Sequence, residues 1–158
     1  MNEQDQDLLL HAVEIARRAR QNGNHPFGAL LAGPDGDVLL TAENTVNTGR
    51  DCTGHAETNL MRLASQKYEP EFLAHCSLYT STEPCAMCSG AIYWSGVGRV
   101  VYALSEVSLY AMTGSDGRNQ TLALPCREVF AHGQRPIQVE GPADLPEAAE
   151  VHQGFWSN

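Results

Sequence analysis

The chain has 158 residues, 42% hydrophobic and 18% charged, which predicts a single domain over residues 1–158 with one ordinary core. No stretch approaches the roughly 18 consecutive apolar residues of a membrane-spanning helix, and the acidic first seven residues are unlike a signal peptide. The formal net charge of −9 disfavours nucleic acid as a partner and favours a small-molecule substrate.

The first third of the chain predicts a helix followed by a β-hairpin. Apolar residues recur at helical spacing from Leu8 to Ala19, with acids before them and arginines after them, as the helix dipole prefers. Gly23 is predicted to end this helix. Two apolar runs, residues 27–32 and 38–42, then flank the turn sequence GPDG, and this arrangement is typical of a hairpin.

The rest of the chain alternates predicted helices and strands. In order, we expect a loop over 44–54, a helix over 55–67, a strand over 76–80, a buried helix over 85–94, a strand over 99–104, a loop over 113–119, and a tail with a short strand at 137–139 and a short helix. Such alternation predicts an α/β layered domain, with its chemically active residues at strand-to-helix junctions.

Three residues of the zinc-ligand type stand at the starts of two predicted helices. Cys85 and Cys88 are separated by two residues, and His55 begins the other helix. A helix N-terminus favours thiolates, so both sulfur atoms can face one ion. Three protein ligands are typical of catalytic zinc, so we predict a Zn²⁺ cofactor. Five cysteines, two of them in this motif, fit a reducing compartment, and we expect the cytoplasm.

Glu57 lies two residues after His55, near enough to reach a water on the metal without binding the ion itself. His-x-Glu together with Pro-Cys-x-x-Cys is the signature of zinc deaminases, in which the zinc hydroxide attacks the ring carbon that bears an exocyclic amine. The glutamate shuttles protons until ammonia leaves. The sequence therefore predicts hydrolytic deamination of a nucleobase-type ring, with Glu57 as the proton shuttle.

A closed structural zinc site is the main alternative. Cys52 precedes His55 by three residues, and as a fourth ligand it would make the site catalytically inert. That alternative leaves Glu57 without a role, and closed sites usually stabilise smaller domains. A non-enzymatic, zinc-stabilised nucleotide-binding module is also disfavoured, because the catalytic glutamate is retained beside the complete set of three ligands.

Residues from about 26 to 104 resemble the cytidine deaminase-like superfamily, in its branch of free-base and tRNA adenosine deaminases. The resemblance rests on TEPCAMCSGAIYW at 82–94, PFGA at 26–29 and HAE at 55–57. It implies a three-layer α/β/α sandwich with a central mixed sheet of about five strands. It also implies a homodimer whose partner chain helps to close the pocket.

The same resemblance implies two substrate-binding residues. Asn44 matches the position at which the family hydrogen-bonds the substrate ring through a side-chain amide, although an asparagine that makes a turn is the alternative. Phe27 matches an aromatic side chain near the base, although a plain core residue is the alternative. His25 is distinctive but receives no predicted role.

The run IYW at 92–94 resembles bacterial guanine deaminases more than the tRNA enzymes, so guanine is the favoured substrate. Asp116 lies where those enzymes carry an acid that binds the purine, with a solvated loop acid as the alternative. The resemblance to guanine deaminases also implies that the tail covers the active site of a swapped partner, with Trp156 as a substrate-binding residue of this lid; a tail anchored on its own core is the alternative. Cytosine, isocytosine, a triazine and adenosine in a tRNA loop stay open as substrates.

Overall fold

The computed structural model describes residues 1–157. Its helices are α1 (Glu3–Gln21), α2 (Ala56–Lys67), α3 (Pro70–Leu73), α4 (Ala86–Ser95), α5 (Glu106–Thr113), α6 (Cys126–Ala131) and α7 (Glu147–Glu150). Its strands are β1 (Gly28–Ala32), β2 (Val38–Glu43), β3 (Ser77–Thr82), β4 (Arg99–Leu104) and β5 (Gln138–Glu140). Within the part of the chain so described, none of the helices has the length and apolar character needed to cross a membrane.

The five strands form one mixed sheet in the order β2-β1-β3-β4-β5. The hairpin strands β1 and β2 are antiparallel, and β1 is also antiparallel to β3. The strands β3, β4 and β5 run parallel to one another, so the carboxyl ends of β3 and β4 meet at one edge, where α4 and α5 follow. The predicted mixed sheet of about five strands is confirmed.

Helices cover both faces of this sheet, which confirms the predicted sandwich. Alternate side chains of β1 point to opposite faces: Leu30 and Ala32 pack against α1, whereas Ala29 and Leu31 pack in the core beneath α2 and α4. All five residues of β1 are buried, because helices cover the strand on both sides. That the whole chain forms a single domain stays a prediction.

The first helix begins earlier than its apolar pattern predicts. Asn2 caps α1 by accepting a hydrogen bond from the backbone N–H of Asp5 at 2.9 Å, and the Asp5 carboxylate accepts the Asn2 N–H at 2.8 Å. This reciprocal capping box fixes the helix start through polar contacts that hydrophobic periodicity does not register. The helix ends at Gln21, before Gly23 adopts a left-handed φ of 92°.

The helices α5 and α6 were not predicted. Only Leu109 and Thr113 are buried in α5, and only Cys126 and Phe130 in α6. Two buried positions are too few to produce a periodic apolar stripe, which is the signal that a sequence interpretation relies on.

Gly28 allows α1 to lie close against β1. A Cβ at this position would lie 2.5 Å from the Ala12 carbonyl oxygen and 2.5 Å from the Ala16 nitrogen, both backbone atoms. Because neither atom can move without shifting the helix, we expect Gly28→Ala to lower the free energy of unfolding by about 1–3 kcal/mol. Urea unfolding followed by circular dichroism measures the loss.

Gly90 in α4 is the matched control for that substitution. Apart from its chain neighbours and the backbone of its own helix, no atom would lie within 4 Å of a Cβ at Gly90, and alanine is the better helix former by about 1 kcal/mol. Gly90→Ala should therefore leave stability unchanged or raise it. Equal unfolding midpoints for Gly28→Ala and the unmodified chain would contradict the close approach of α1 to β1.

Candidate active site

The three residues of the zinc-ligand type meet where α2 and α4 begin. His55 is the N-cap residue of α2, Cys85 is the N-cap residue of α4, and Cys88 lies in the first turn of α4. Their ligand atoms all lie within 4.8 Å of one another. The His55 Nδ1 atom is 3.5 Å from the Cys85 Sγ atom and 3.6 Å from the Cys88 Sγ atom.

These spacings suit zinc. Bonds of about 2.3 Å to sulfur and 2.0 Å to nitrogen, at tetrahedral angles, separate the two ligand atoms by about 3.5 Å. The Thr58 hydroxyl donates to the Cys88 Sγ atom at 3.2 Å, the kind of outer contact that orients a metal-ligating thiolate. Cys52 is exposed and is not part of this group among the described residues, so the group offers three protein ligands.

Electrostatics within the group favour a thiolate. A hydrogen bond from the Cys88 thiol, aided by one from His55, outweighs burial and lowers the pKa of Cys85 to about 4. The hydrogen bond with Cys85 likewise raises the pKa of His55. Burial, reinforced by the negative charge of Cys85, raises the pKa of Glu57 to about 7. One sulfur is therefore ionised at neutral pH, the form that binds metal.

A cavity of about 220 Å³ opens beside the group of ligand atoms. Its walls combine predicted site residues with titratable residues that had no predicted role. The first set comprises His55, Cys85, Glu57, Asn44 and Phe27, and the second includes His25, Glu83, Glu106 and Arg118. Glu57 is only 6% exposed, so its carboxyl group is largely shielded from bulk water.

Asn44 reaches this cavity with its amide oxygen already engaged. The oxygen Oδ1 accepts the backbone N–H of Val46 at 3.0 Å, which is the turn-forming contact expected under the alternative interpretation. The amide nitrogen makes no hydrogen bond to the described residues. It is therefore free to donate to a ligand, and binding of the substrate ring by Asn44 stays a prediction.

Phe27 is half-buried at the cavity wall, and its ring meets the His152 ring edge-on, with 5.3 Å between the ring centres. Phe27 also packs against the main core, so the structure places it in both environments that the sequence left open. Contact of its ring with a substrate base stays a prediction.

Asp116 is buried in the loop after α5, and it is not among the described residues that line the cavity. One carboxylate oxygen, Oδ2, accepts from Arg118 Nη2 at 2.7 Å and from the Ser157 backbone N–H at 2.6 Å. The other, Oδ1, accepts from the Arg118 backbone N–H at 2.9 Å. Both oxygens are therefore engaged by the protein itself, and a contact between Asp116 and a purine stays a prediction.

The tail packs on its own chain in this structure. Trp156 lies edge-on to His25, with 5.5 Å between ring centres, and 6.1 Å from the ring of Phe27, both of which line the cavity. Its indole nitrogen donates to His152 Nδ1 at 3.0 Å. Burial lowers the pKa of His152 to about 4, so this acceptor is neutral. Trp156 thus stands beside the cavity, and its role as a lid stays a prediction.

Sequence reasoning missed several charged residues of the cavity. Glu83 precedes the Pro-Cys motif, and its carboxylate accepts the backbone N–H groups of Glu106 and Cys126, each at 3.1 Å. It therefore ties the starts of α5 and α6 to the end of β3. Its position directly before the Pro-Cys motif could have identified Glu83 as a site residue from the sequence. Arg118 gave none, because only the fold of its loop brings it to the cavity.

A family model and a full-length relative both indicate deamination chemistry. A family model described as the cytidine and deoxycytidylate deaminase zinc-binding region matches residues 2–104. The probable cytosine deaminase of Schizosaccharomyces pombe is 40% identical over 156 residues, which cover 99% of this chain and 94% of that protein.

Guanine deaminases are among the other similar proteins, as are tRNA-specific adenosine deaminases. The Bacillus subtilis enzyme is 45% identical over 97 residues, which cover 61% of this chain and 62% of that protein. The structure of the Nitrosomonas europaea guanine deaminase superposes with a TM-score of 0.73 at 26% identity, over 92% of this chain and 81% of that one.

Proposed function

Because this chain belongs to the cytidine and deoxycytidylate deaminase family, we propose that it removes the exocyclic amine of a free nucleobase. The similarity to guanine deaminases supports guanine as the favoured base. The family match confirms the predicted zinc-dependent aminohydrolase and its zinc cofactor. The size of the cavity supports a free base as substrate. At about 220 Å³, it lies below the roughly 300–1,000 Å³ typical of pockets for drug-sized ligands.

His55, Cys85 and Cys88 would hold the zinc ion, as their donor set and spacing support. Zinc bound there supplies Lewis acidity that makes water a nucleophile near neutral pH.

Glu57 carries the protons of the reaction. It takes one from the attacking water and delivers it to the ring nitrogen beside the amine-bearing carbon. It then delivers the water's second proton to the amine, which leaves as ammonia while the carbon keeps the oxygen as a carbonyl. Burial of the carboxyl group favours delivery to the bound base over exchange with bulk water.

Asn44 and Phe27 position the ring in this proposal. The free amide nitrogen of Asn44 donates to a ring carbonyl or ring nitrogen, and Phe27 packs its aromatic ring against the base. Orientation of the amine-bearing carbon toward Glu57 is what makes proton transfer efficient.

Cytosine is the second candidate substrate. One observation favours it: the Schizosaccharomyces pombe relative aligns over almost the full length of both chains. Cytosine shares with guanine an exocyclic amine and a ring carbonyl, so the same chemical groups of the site can serve either base.

The test is ammonia release by zinc-quantified protein. The substrates are guanine, cytosine, isocytosine, adenine, their nucleosides, aminated triazines and a tRNA anticodon stem-loop. We expect release from guanine, with cytosine as the second outcome. Release from the tRNA alone, or from no compound while zinc is bound and the fold is intact, would overturn the proposed function.

Cys52 provides a test of the ligand count. We expect Cys52→Ala to keep one zinc ion per chain, because Cys52 lies outside the three-residue group. Cys88→Ala should lose most of its zinc, since it removes a buried ligand. Metal analysis after dialysis measures both variants. Loss of zinc from Cys52→Ala would instead support the closed structural site.

We also propose a homodimer. Trp94 at the end of α4 is 83% exposed, and it borders a groove between α2 and α4 that includes Met61 and Ala91. A large exposed aromatic side chain next to a groove is typical of a protein interface. Sedimentation should give twice the chain mass, and a monomeric mass would contradict the proposal.

A further inference from the structure

We propose that Arg118 donates a hydrogen bond to a ring carbonyl of the substrate and thereby selects an oxo-substituted amino base over the same ring without oxygen. This inference rests on the proposed function. It adds that the protein recognises a second group of the substrate, a ring carbonyl, away from the reacting amine. Asp116, the acid predicted to bind the purine, acquires a different role, because it holds Arg118.

The Arg118 guanidinium is fixed on one side by polar contacts. Its Nε atom donates to Asp116 Oδ1 at 3.1 Å, and its Nη2 atom donates to Asp116 Oδ2 at 2.7 Å, a fork-to-fork pair. The Nη2 atom also donates to the Phe155 carbonyl oxygen at 2.5 Å. Two different segments, the loop and the tail, therefore hold the group in one orientation.

The same guanidinium also lies over two aromatic rings of the tail. The central carbon of the group lies 4.6 Å from the ring centre of Phe155 and 5.4 Å from that of Trp156. Such contacts favour a planar cation and restrict its rotation. A donor fixed before the ligand arrives loses little conformational freedom on binding, which strengthens recognition.

One guanidinium nitrogen of this ordered group is left over. Arginine has five N–H donors, and those of Nε and Nη2 are engaged as described. The Nη1 atom makes no hydrogen bond to the described residues, and Arg118 lines the cavity. Nη1 therefore keeps its donors for a ligand, and we assign them to a ligand in the cavity that Arg118 lines.

The chemistry of the free nitrogen decides what it recognises. Nη1 has N–H groups only, so its partner must be an acceptor such as a carbonyl oxygen or an unprotonated ring nitrogen. Arginine pairs in this way with the oxygen and adjacent nitrogen of guanine in DNA. In guanine and in cytosine the carbonyl is on a different ring carbon from the amine, so one group can meet Glu57 while another meets Arg118.

Paired substrates test this recognition. Guanine and 2-aminopurine carry the amine on the same carbon, but only guanine has the ring oxygen. In Arg118→Met, we expect the ratio of kcat/KM for guanine to that for 2-aminopurine to fall about 10- to 100-fold, as for a lost hydrogen bond to a charged donor. If cytosine proves to be the base, cytosine and 4-aminopyrimidine form the equivalent pair.

Arg17→Met is the matched control. It removes the same charge from an exposed ion pair with Glu14 on α1, outside the cavity lining. It should leave the substrate ratio unchanged. Differences in the intrinsic reactivity of the two bases cancel when each variant's ratio is divided by that of the unmodified chain.

The outcomes separate the hypotheses. If Arg118 serves only to anchor the tail, Arg118→Met lowers turnover of both bases equally, which overturns this inference and leaves the proposed function intact. If Arg118→Met turns over neither base, the comparison uses calorimetric Kd values for the products xanthine and 2-hydroxypurine in place of the kcat/KM ratio. If the substitution weakens binding of both products equally, the inference about Arg118 is overturned. Ammonia release from no base by the unmodified chain means that both proposals fail.

Discussion

Glu57→Gln should fold and bind zinc normally but lose most of its deaminase activity, with kcat lowered by about 10²–10⁴-fold. The amide keeps the size of the carboxyl group but cannot take a proton from water and pass it to the base. Glu57 lies outside the three-residue ligand group, so the donors for zinc stay intact. Ammonia release, metal content and thermal unfolding, measured on one preparation, separate these effects.

Glu128→Gln is the matched control for that variant, because Glu128 is exposed on α6 and outside the cavity lining. It should release ammonia at the rate of the unmodified chain. Two results would count against the mechanism: full activity in Glu57→Gln, or loss of zinc in parallel with activity, which would make Glu57 a ligand.

Asp5→Asn should lower the free energy of unfolding by about 3 kcal/mol, the size expected when one member of a buried ion pair is removed. Asp5 is 3% exposed. Its carboxylate accepts from the Tyr79 hydroxyl at 2.6 Å and from both terminal nitrogens of Arg99 at 3.0 Å. Arg99 also pairs with Glu140, so these contacts join α1 to β3, β4 and β5.

The same contacts predict a loss of stability in acid. Burial alone would raise the pKa of Asp5, but the hydrogen bonds from Arg99, Tyr79 and the Asn2 backbone lower it from 3.8 to about 2. A lowered pKa in the folded state means that the stabilisation is complete above pH 3.8 and is lost as the pH falls towards 2. The contribution that disappears over this window is about 2 kcal/mol.

Asp7→Asn is the control, since Asp7 is exposed on the same helix. We expect urea unfolding between pH 7 and pH 2 to give a constant difference in the free energy of unfolding between Asp5→Asn and the unmodified chain down to about pH 4. Below about pH 4 this difference should become smaller. A gap that does not depend on pH would show that ionisation of Asp5 is not the source of its stabilising effect.

The sequence alone was sufficient to predict those helices and strands whose deciding residues are close together in the chain. The hairpin of β1 and β2 followed from two apolar runs around one turn, and the starts of α2 and α4 followed from His55 and the Pro-Cys motif. In each case the residues that decide the structure are neighbours in the chain. Periodicity also placed α1, although polar capping by Asn2 moved its start.

Sequence by itself thus determined the layered fold, the zinc-type residues and the class of reaction, because spacing within one helix turn or one hairpin is a local property. Tertiary structure alone decided that Arg118 joins the predicted residues in the cavity wall. Arg118 reaches it only because Asp116 binds the guanidinium and Phe155, 37 residues away, packs on it. Such contacts depend on how the loop and the tail pack together. The spacing of these residues along the chain does not predict that they meet.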